Sequence, residues 1–248
     1  MSSSTSVLAL RLAGPLQSWG ASSHFARRTT ESAPTKSGVI GLLAAAAGIE
    51  RGDDARLAPL AELRFGVRID QPGTRIRDFH TAHHRDSGKS MPLSERFYLA
   101  DAAFGAAVEG EHPLLATLYA ALRNPVFPPF LGRRSCPPAG PVELGLHKDA
   151  RLEDVLNAVP WQASDWYRKR HRHQPPDRLT VLREKAGDEP GGTDVLRDQP
   201  LSFAAAHRRH ALRTVVTAHV ALPLGPAEGS PHHDPFEALP EALEDESA

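Results

Sequence analysis

Apolar side chains recur at alternate positions over 7–12, with Leu8, Leu10 and Leu12 on one face and Val7, Ala9 and Arg11 on the other. That period predicts a strand. Over 35–48 the period lengthens: Val39, Leu42, Leu43, Ala46 and Ala47 form a helical stripe, Thr35 or Ser37 caps its start, and Gly48 stops it. Alternation returns at 63–69, where Leu63, Phe65, Val67 and Ile69 point inward while Arg64 and Arg68 point outward. A further strand is predicted over 97–108, with a break near Gly105. A second helix opens at His112 and Pro113, carries Leu115, Leu118 and Leu122 on one face, and closes at Asn124 and Pro125. A strand at 142–146 completes the order β-α-β-β-α-β, the ferredoxin-like arrangement shared with RNA-recognition domains.

The fold class expected is therefore α+β, a ferredoxin-like domain over 1–146. An insert at about 70–96 is too long for a turn and rich in His, Arg and Lys. A small C-terminal β region over 147–224 follows, with a late strand at 214–222 and a weak pattern over 161–197. Residues 225–248 hold seven acids and no Lys or Arg, a composition expected to be disordered.

That tail changes how the charge is read. The chain of 248 residues has 29 Lys and Arg against 30 Asp and Glu, but without the tail its body carries six positive charges in excess. A basic body suits nucleic acid without requiring it. One cysteine, Cys136, excludes an internal disulfide framework and any cysteine-based zinc site, and fits a reducing cytoplasm. No apolar run reaches membrane-span length, and the serine-rich start lacks the features of a secretory signal. Thirteen histidines fall in clusters, but none has metal-ligand spacing with a carboxylate partner, so neither a metal nor another cofactor is expected.

Candidate chemistry concentrates in loops. In 130–137 (FLGRRSCP), Arg133 and Arg134 lie between a glycine and prolines, a restricted loop suited to holding two guanidinium groups toward phosphate oxygens. In 34–38 (PTKSG), free N–H groups at a helix start accompany Lys36 and Ser37, a place where phosphate can dock; ordinary capping is the plainer alternative. In 14–20 (GPLQSWG), Trp19 either stacks on a base or seals the core, and Gln17 can bond a base edge. Arg27 and Arg28 stand in a polar loop before the helix.

Four blocks, LRLAGPLQSWG (10–20), PTKSGVIGLL (34–43), IRDFHT (76–81) and FLGRRSCP (130–137), occur in an order that resembles the Cas-five (CasD) family of type I-E CRISPR Cascade subunits, with a weaker echo at 198–216. The resemblance implies a non-catalytic RNA-binding subunit of the antiviral surveillance complex, in the repeat-associated RNA-binding superfamily. It would hold the 5′ handle of CRISPR RNA and cap the backbone by contacting the CasC subunit and the large CasA subunit. Target DNA would be met only through the assembled complex. It also implies a β-hairpin thumb at the insert, with Arg77, His80 and Arg96 at its base, Arg133 and Arg134 on handle phosphates or a neighbouring subunit, and Lys36 and Ser37 facing RNA.

Two other readings stand beside this one. A metal-independent endoribonuclease processing precursor RNA, as in type I-C relatives, would need a base and an acid, for which His80, Tyr98 and Lys36 are available. A protein–protein adaptor with a basic face would need no RNA at all.

Overall fold

The computed structural model describes residues 4–20, 27–187, 189 and 194–222. Six of its elements form the expected unit: β1 (Thr5–Ala13), α1 (Lys36–Ala46), β4 (Arg64–Gln71), β7 (Ala103–Glu111), α3 (His112–Arg123) and β8 (Glu143–Lys148). Their strands lie side by side as β8, β1, β7, β4, all antiparallel neighbours, which is the ferredoxin-like order. Alternation in β1 explains its double burial. Leu8, Leu10 and Leu12 enter a core with α1 and α3, while Val7 and Ala9 enter a second core with α4 (Leu152–Ala158).

α1 begins where Thr35 Oγ1 accepts from the Gly38 N–H at 3.3 Å, and ends before Gly48 at φ +66°. Gly38 has a packing role as well, because a Cβ there would lie 2.7 Å from the Trp19 ring. α2 (Asp54–Ala61) has no counterpart in the sequence reading; Asp53 caps it, and Leu57 and Leu60 bury its inner face. Two short strands, β2 (Leu16–Gln17) and β3 (Arg27–Arg28), lie between β1 and α1.

The strand expected over 97–108 is two strands. β6 (Ser94–Ala100) and β7 are separated by a turn in which Asp101 takes φ +53°. Gly105 lies within β7, opposite Arg68, whose guanidinium a Cβ there would meet at an ordinary contact distance of 3.6 Å. β6 pairs along its length with β5 (Thr74–His80), forming the hairpin insert, and its other edge receives β2 and β3. The hairpin thus belongs to a second, four-stranded sheet.

Residues beyond 146 continue the first sheet. β9 (Arg178–Glu184) pairs with β4, β11 (Arg209–Ala221) with β9, and β10 (Asp194–Ser202) forms the edge. Pro200, which has no N–H to donate, is tolerated at that edge. The weak pattern over 161–197 also conceals α5 (Asp165–Arg170). Residues 225–248 lie outside the described residues. No described helix is long and apolar enough to cross a membrane.

Candidate nucleic-acid interface

Buried charge separates the structural cations from the available ones. Arg68 and Asp70 are both fully buried and form a two-pronged pair at 2.7 and 2.9 Å. The remaining Arg68 donors reach the carbonyls of Leu156, Val159 and Pro160, satisfying the end of α4. Lys36 is equally committed. Its Nζ lies 2.8 Å from Glu184, and its backbone N–H donates to Asp198 Oδ2 at 2.7 Å. Arg213 completes the group with Asp198 at 2.6 and 2.9 Å. Burial pulls the Lys36 ammonium below its ordinary pKa, and Glu184 opposes that pull.

These contacts correct three sequence expectations. The anion at the start of α1 is the Asp198 carboxylate, so Lys36 is no mobile cation for an external phosphate, and Ser37 is buried beside Thr35. Trp19 is core: its Nε1 donates to Gln17 Oε1 at 3.0 Å. Gln17 in turn donates to the Leu12 and Ala102 carbonyls, which leaves no side-chain group for a base edge. Large apolar surface and a tight glycine contact outweigh loop position here.

The second sheet and the arginine loop form a different environment. Leu131 and Cys136 are buried and fix the loop between them, with Leu131 N–H to Cys136 C=O at 2.7 Å and Cys136 N–H to Arg133 C=O at 2.9 Å. Gly132 at φ +84° passes so close to the Ser18 carbonyl that a Cβ would lie 1.8 Å from it. Burial pushes the Cys136 thiol up, away from nucleophile chemistry. The two loop arginines are unequal. Arg134 is exposed, whereas the Arg133 guanidinium lies 4.7 Å above the Tyr98 ring and donates to the Arg28 carbonyl at 3.0 Å.

Alternation along the hairpin sorts the remaining candidates. Arg96, Tyr98 and His80 share one face, and His80 Nε2 lies 2.6 Å from Asp78 on that face. Arg77 is on the other, 4.7 Å from the Phe79 ring and 3.8 Å from Glu95, so the expected thumb-base trio is divided between faces. In β3, Arg28 is the register neighbour of Arg96 and is exposed, and Arg27 stands opposite Glu95 in the strand register. Arg28, Arg96 and Arg133 therefore meet beside the first half of β6. Arg96 Nε and Arg133 Nη1 are shielded from solvent and have no protein acceptor. A further cation that the sequence reading missed, Arg75, is exposed and donates to the Thr30 carbonyl at 3.1 Å. Its alternation with Arg77 on β5 is the signal that could have found it.

The residues proposed for an RNA-cleaving site do not assemble. Tyr98 lies beneath Arg133, Lys36 is paired with Glu184, and His80 stands opposite Ser94, four positions along β6 from Tyr98 and thus roughly 13 Å away. Among the described residues no group of His, Cys, Asp and Glu is arranged to hold a metal.

A ferredoxin-like sheet bearing an arginine-lined hairpin defines a class of nucleic-acid-binding subunit, and the comparisons specify the family. The chain matches the family described as CRISPR-associated protein (Cas_Cas5) over residues 7–216, and it belongs to that family. It is 38% identical to the CRISPR system Cascade subunit CasD of Escherichia coli (strain K12), with 56% of this chain and 70% of that one covered. A solved Cas protein structure superposes with a TM-score of 0.68 at 38% identity, covering 89% of this chain and 99% of that chain. A chain of a CRISPR RNA-guided surveillance complex gives 0.65 at 31% identity, covering 90% and 95%.

Proposed function

We propose that this chain is an RNA-binding Cascade subunit that grips the 5′ handle of CRISPR RNA with the hairpin and the arginine loop, without cutting it. The observation that carries the reading is the meeting of Arg28, Arg96 and Arg133, two of which present guanidinium nitrogens with no protein acceptor. Three arginines gathered beside β6 without a carboxylate partner favour an anion, which supplies the charge-assisted acceptors they lack. Phosphates of a splayed single strand fit this demand, and the half-exposed Phe79 beside Arg77 offers a stacking face. The subunit's other partners in this reading are the CasC backbone subunit and the large CasA subunit, with target DNA met through the assembled complex in the cytoplasm.

Co-purification of tagged protein with the other Cascade subunits, followed by sequencing of retained RNA, tests the reading. Intact guides with a protected 5′ handle are expected, and Arg96→Ala/Arg133→Ala should lose them. Free protein that shortens precursor RNA by itself would replace this reading with the nuclease. Association that survives ribonuclease and shows no handle preference would replace it with the adaptor.

A further inference from the structure

The segment from Trp161 to Arg172 carries a cluster of aromatic and cationic side chains that the hairpin interface does not use. Its start is rigidly held: Trp161 Nε1 donates to the Asp70 carbonyl at 2.9 Å, Gln162 N–H to Asp70 Oδ2 at 2.6 Å, and Ser164 N–H to Gln71 Oε1 at 3.0 Å. These anchors sit where β4 ends, three residues before the hairpin begins at Thr74. α5 then buries no residue at all, so its composition has no core to serve. Trp166 is 49% exposed, although tryptophan is normally covered in a monomer. Its ring meets Tyr167 edge-on at 5.6 Å, and Tyr167 lies 4.3 Å from His171, forming a continuous ladder of rings.

Cations surround that ladder. Lys169, Arg170 and Arg172 are exposed and form no ion pair with any described residue. Helical spacing puts Lys169 and Arg170 on the side of α5 that carries Trp166. Arg11, on the neighbouring face of β1, is half-buried; burial and the adjacent Arg168 both weaken its hold on its proton. Only Asp165 opposes the cations within α5. A protein partner would require more apolar area than this patch supplies, one exposed tryptophan beside the partly covered Tyr167 and His171 among cations. Stacking with flanking cations is instead the chemistry that binds unpaired bases and their phosphates.

We propose that α5 and the turn after it form a second surface for single-stranded nucleic acid, with a base stacked on Trp166 and phosphates on Lys169, Arg170 and Arg172. This surface is independent of the handle reading, because it shares no residue with the Arg28, Arg96 and Arg133 cluster.

Full-length protein, titrated with labelled 12-nucleotide RNA and DNA lacking any handle sequence, tests it. Trp166→Ala should weaken binding about 5- to 100-fold. Lys169→Ala/Arg170→Ala/Arg172→Ala should reduce the slope of log affinity against log salt by about 2. Oligonucleotide should also quench tryptophan fluorescence, and Trp166→Ala should remove most of the quench, since Trp19 is buried and Trp161 is half-buried with its Nε1 bonded to the Asp70 carbonyl. Handle protection should survive both variants, while Arg96→Ala/Arg133→Ala should show the reverse pattern, so the two sites fail separately. Equal losses for RNA and DNA support a sugar-blind surface, and loss for one alone supports the surface and identifies its strand. Unchanged affinity in Trp166→Ala overturns the proposal. So does failure of the unaltered protein to bind either oligonucleotide at about 50 mM salt, where such contacts are strongest; the patch would then belong to a protein partner.

Discussion

Two groups of cations in this molecule resemble each other in sequence and differ entirely in circumstance. Arg68, Lys36 and Arg213 lie within the first sheet and its contact with α1, and each faces a carboxylate at 2.9 Å or less. Arg28, Arg96 and Arg133 lie around the second sheet, where they meet one another and the ring of Tyr98 rather than carboxylates. The first group is tied to carboxylates and acts as fastening, although Arg213 Nη1 finds no acceptor. The second forms no ion pair with any described carboxylate and leaves Arg96 Nε and Arg133 Nη1 without acceptors, and therefore invites an anion from outside. A carboxylate partner, not abundance of charge, separates a structural cation from an available one.

The comparison breaks most visibly at Asp70. Asp70→Ala would strand the fully buried Arg68 guanidinium, with an expected loss of about 4 kcal/mol, read as a lower urea midpoint. Lys36→Ala should follow at about 2 to 3 kcal/mol, since Glu184 would lose its 2.8 Å partner at a mostly covered site and keep only the Phe65 N–H and the more distant Arg213. Both variants should affect RNA binding only in proportion to the unfolded fraction.

Acid should act in a smaller, graded way on a further set of ion pairs, those of Arg64 and Arg183 with Glu153 and Glu189. Against the upward push of burial, hydrogen bonding from Arg64 holds Glu153 below the usual carboxylate range, and hydrogen bonding from Arg183 brings Glu189 to about 2. Both carboxyls are depressed on folding, so their contribution is present above about pH 4.5 and is lost as pH falls toward the folded values. The melting temperature should therefore drop between about pH 4.5 and pH 2, and Glu153→Gln should flatten that profile. The smallest effect is expected at Gly41, inside α1. A Cβ there would meet the Phe203 ring at 3.8 Å, an ordinary contact, so Gly41→Ala should raise stability by up to about 1 kcal/mol.

Legibility in the sequence followed the length and cleanness of each period. β1, α1, β4 and α3 emerged because each presents a sustained stripe to a core. α2 escaped notice because Pro59 and two arginyl and aspartyl positions interrupt its short pattern. β10 and β11 escaped in part because one face of each is exposed, which leaves too few apolar positions to mark the period. At the site, motif order identified the family, yet it could not rank Lys36, Gln17 and Trp19 against Arg28 and Arg96. Their fates depend on Asp198 and Glu184, more than 140 positions from Lys36, and on the approach of Trp19 to Gly38. Such contacts are set by tertiary packing and have no local signature.

The central claim is that the arginines beside β6, and not those in the core, hold RNA. Its most direct test is the affinity of the free protein for a 5′-handle RNA, measured across a salt series for the unaltered chain and for Arg96→Ala/Arg133→Ala. The account predicts at least a tenfold weaker affinity and a salt slope reduced by about 2, with folding stability changed by less than about 2 kcal/mol. An unchanged slope and affinity in that variant would contradict it.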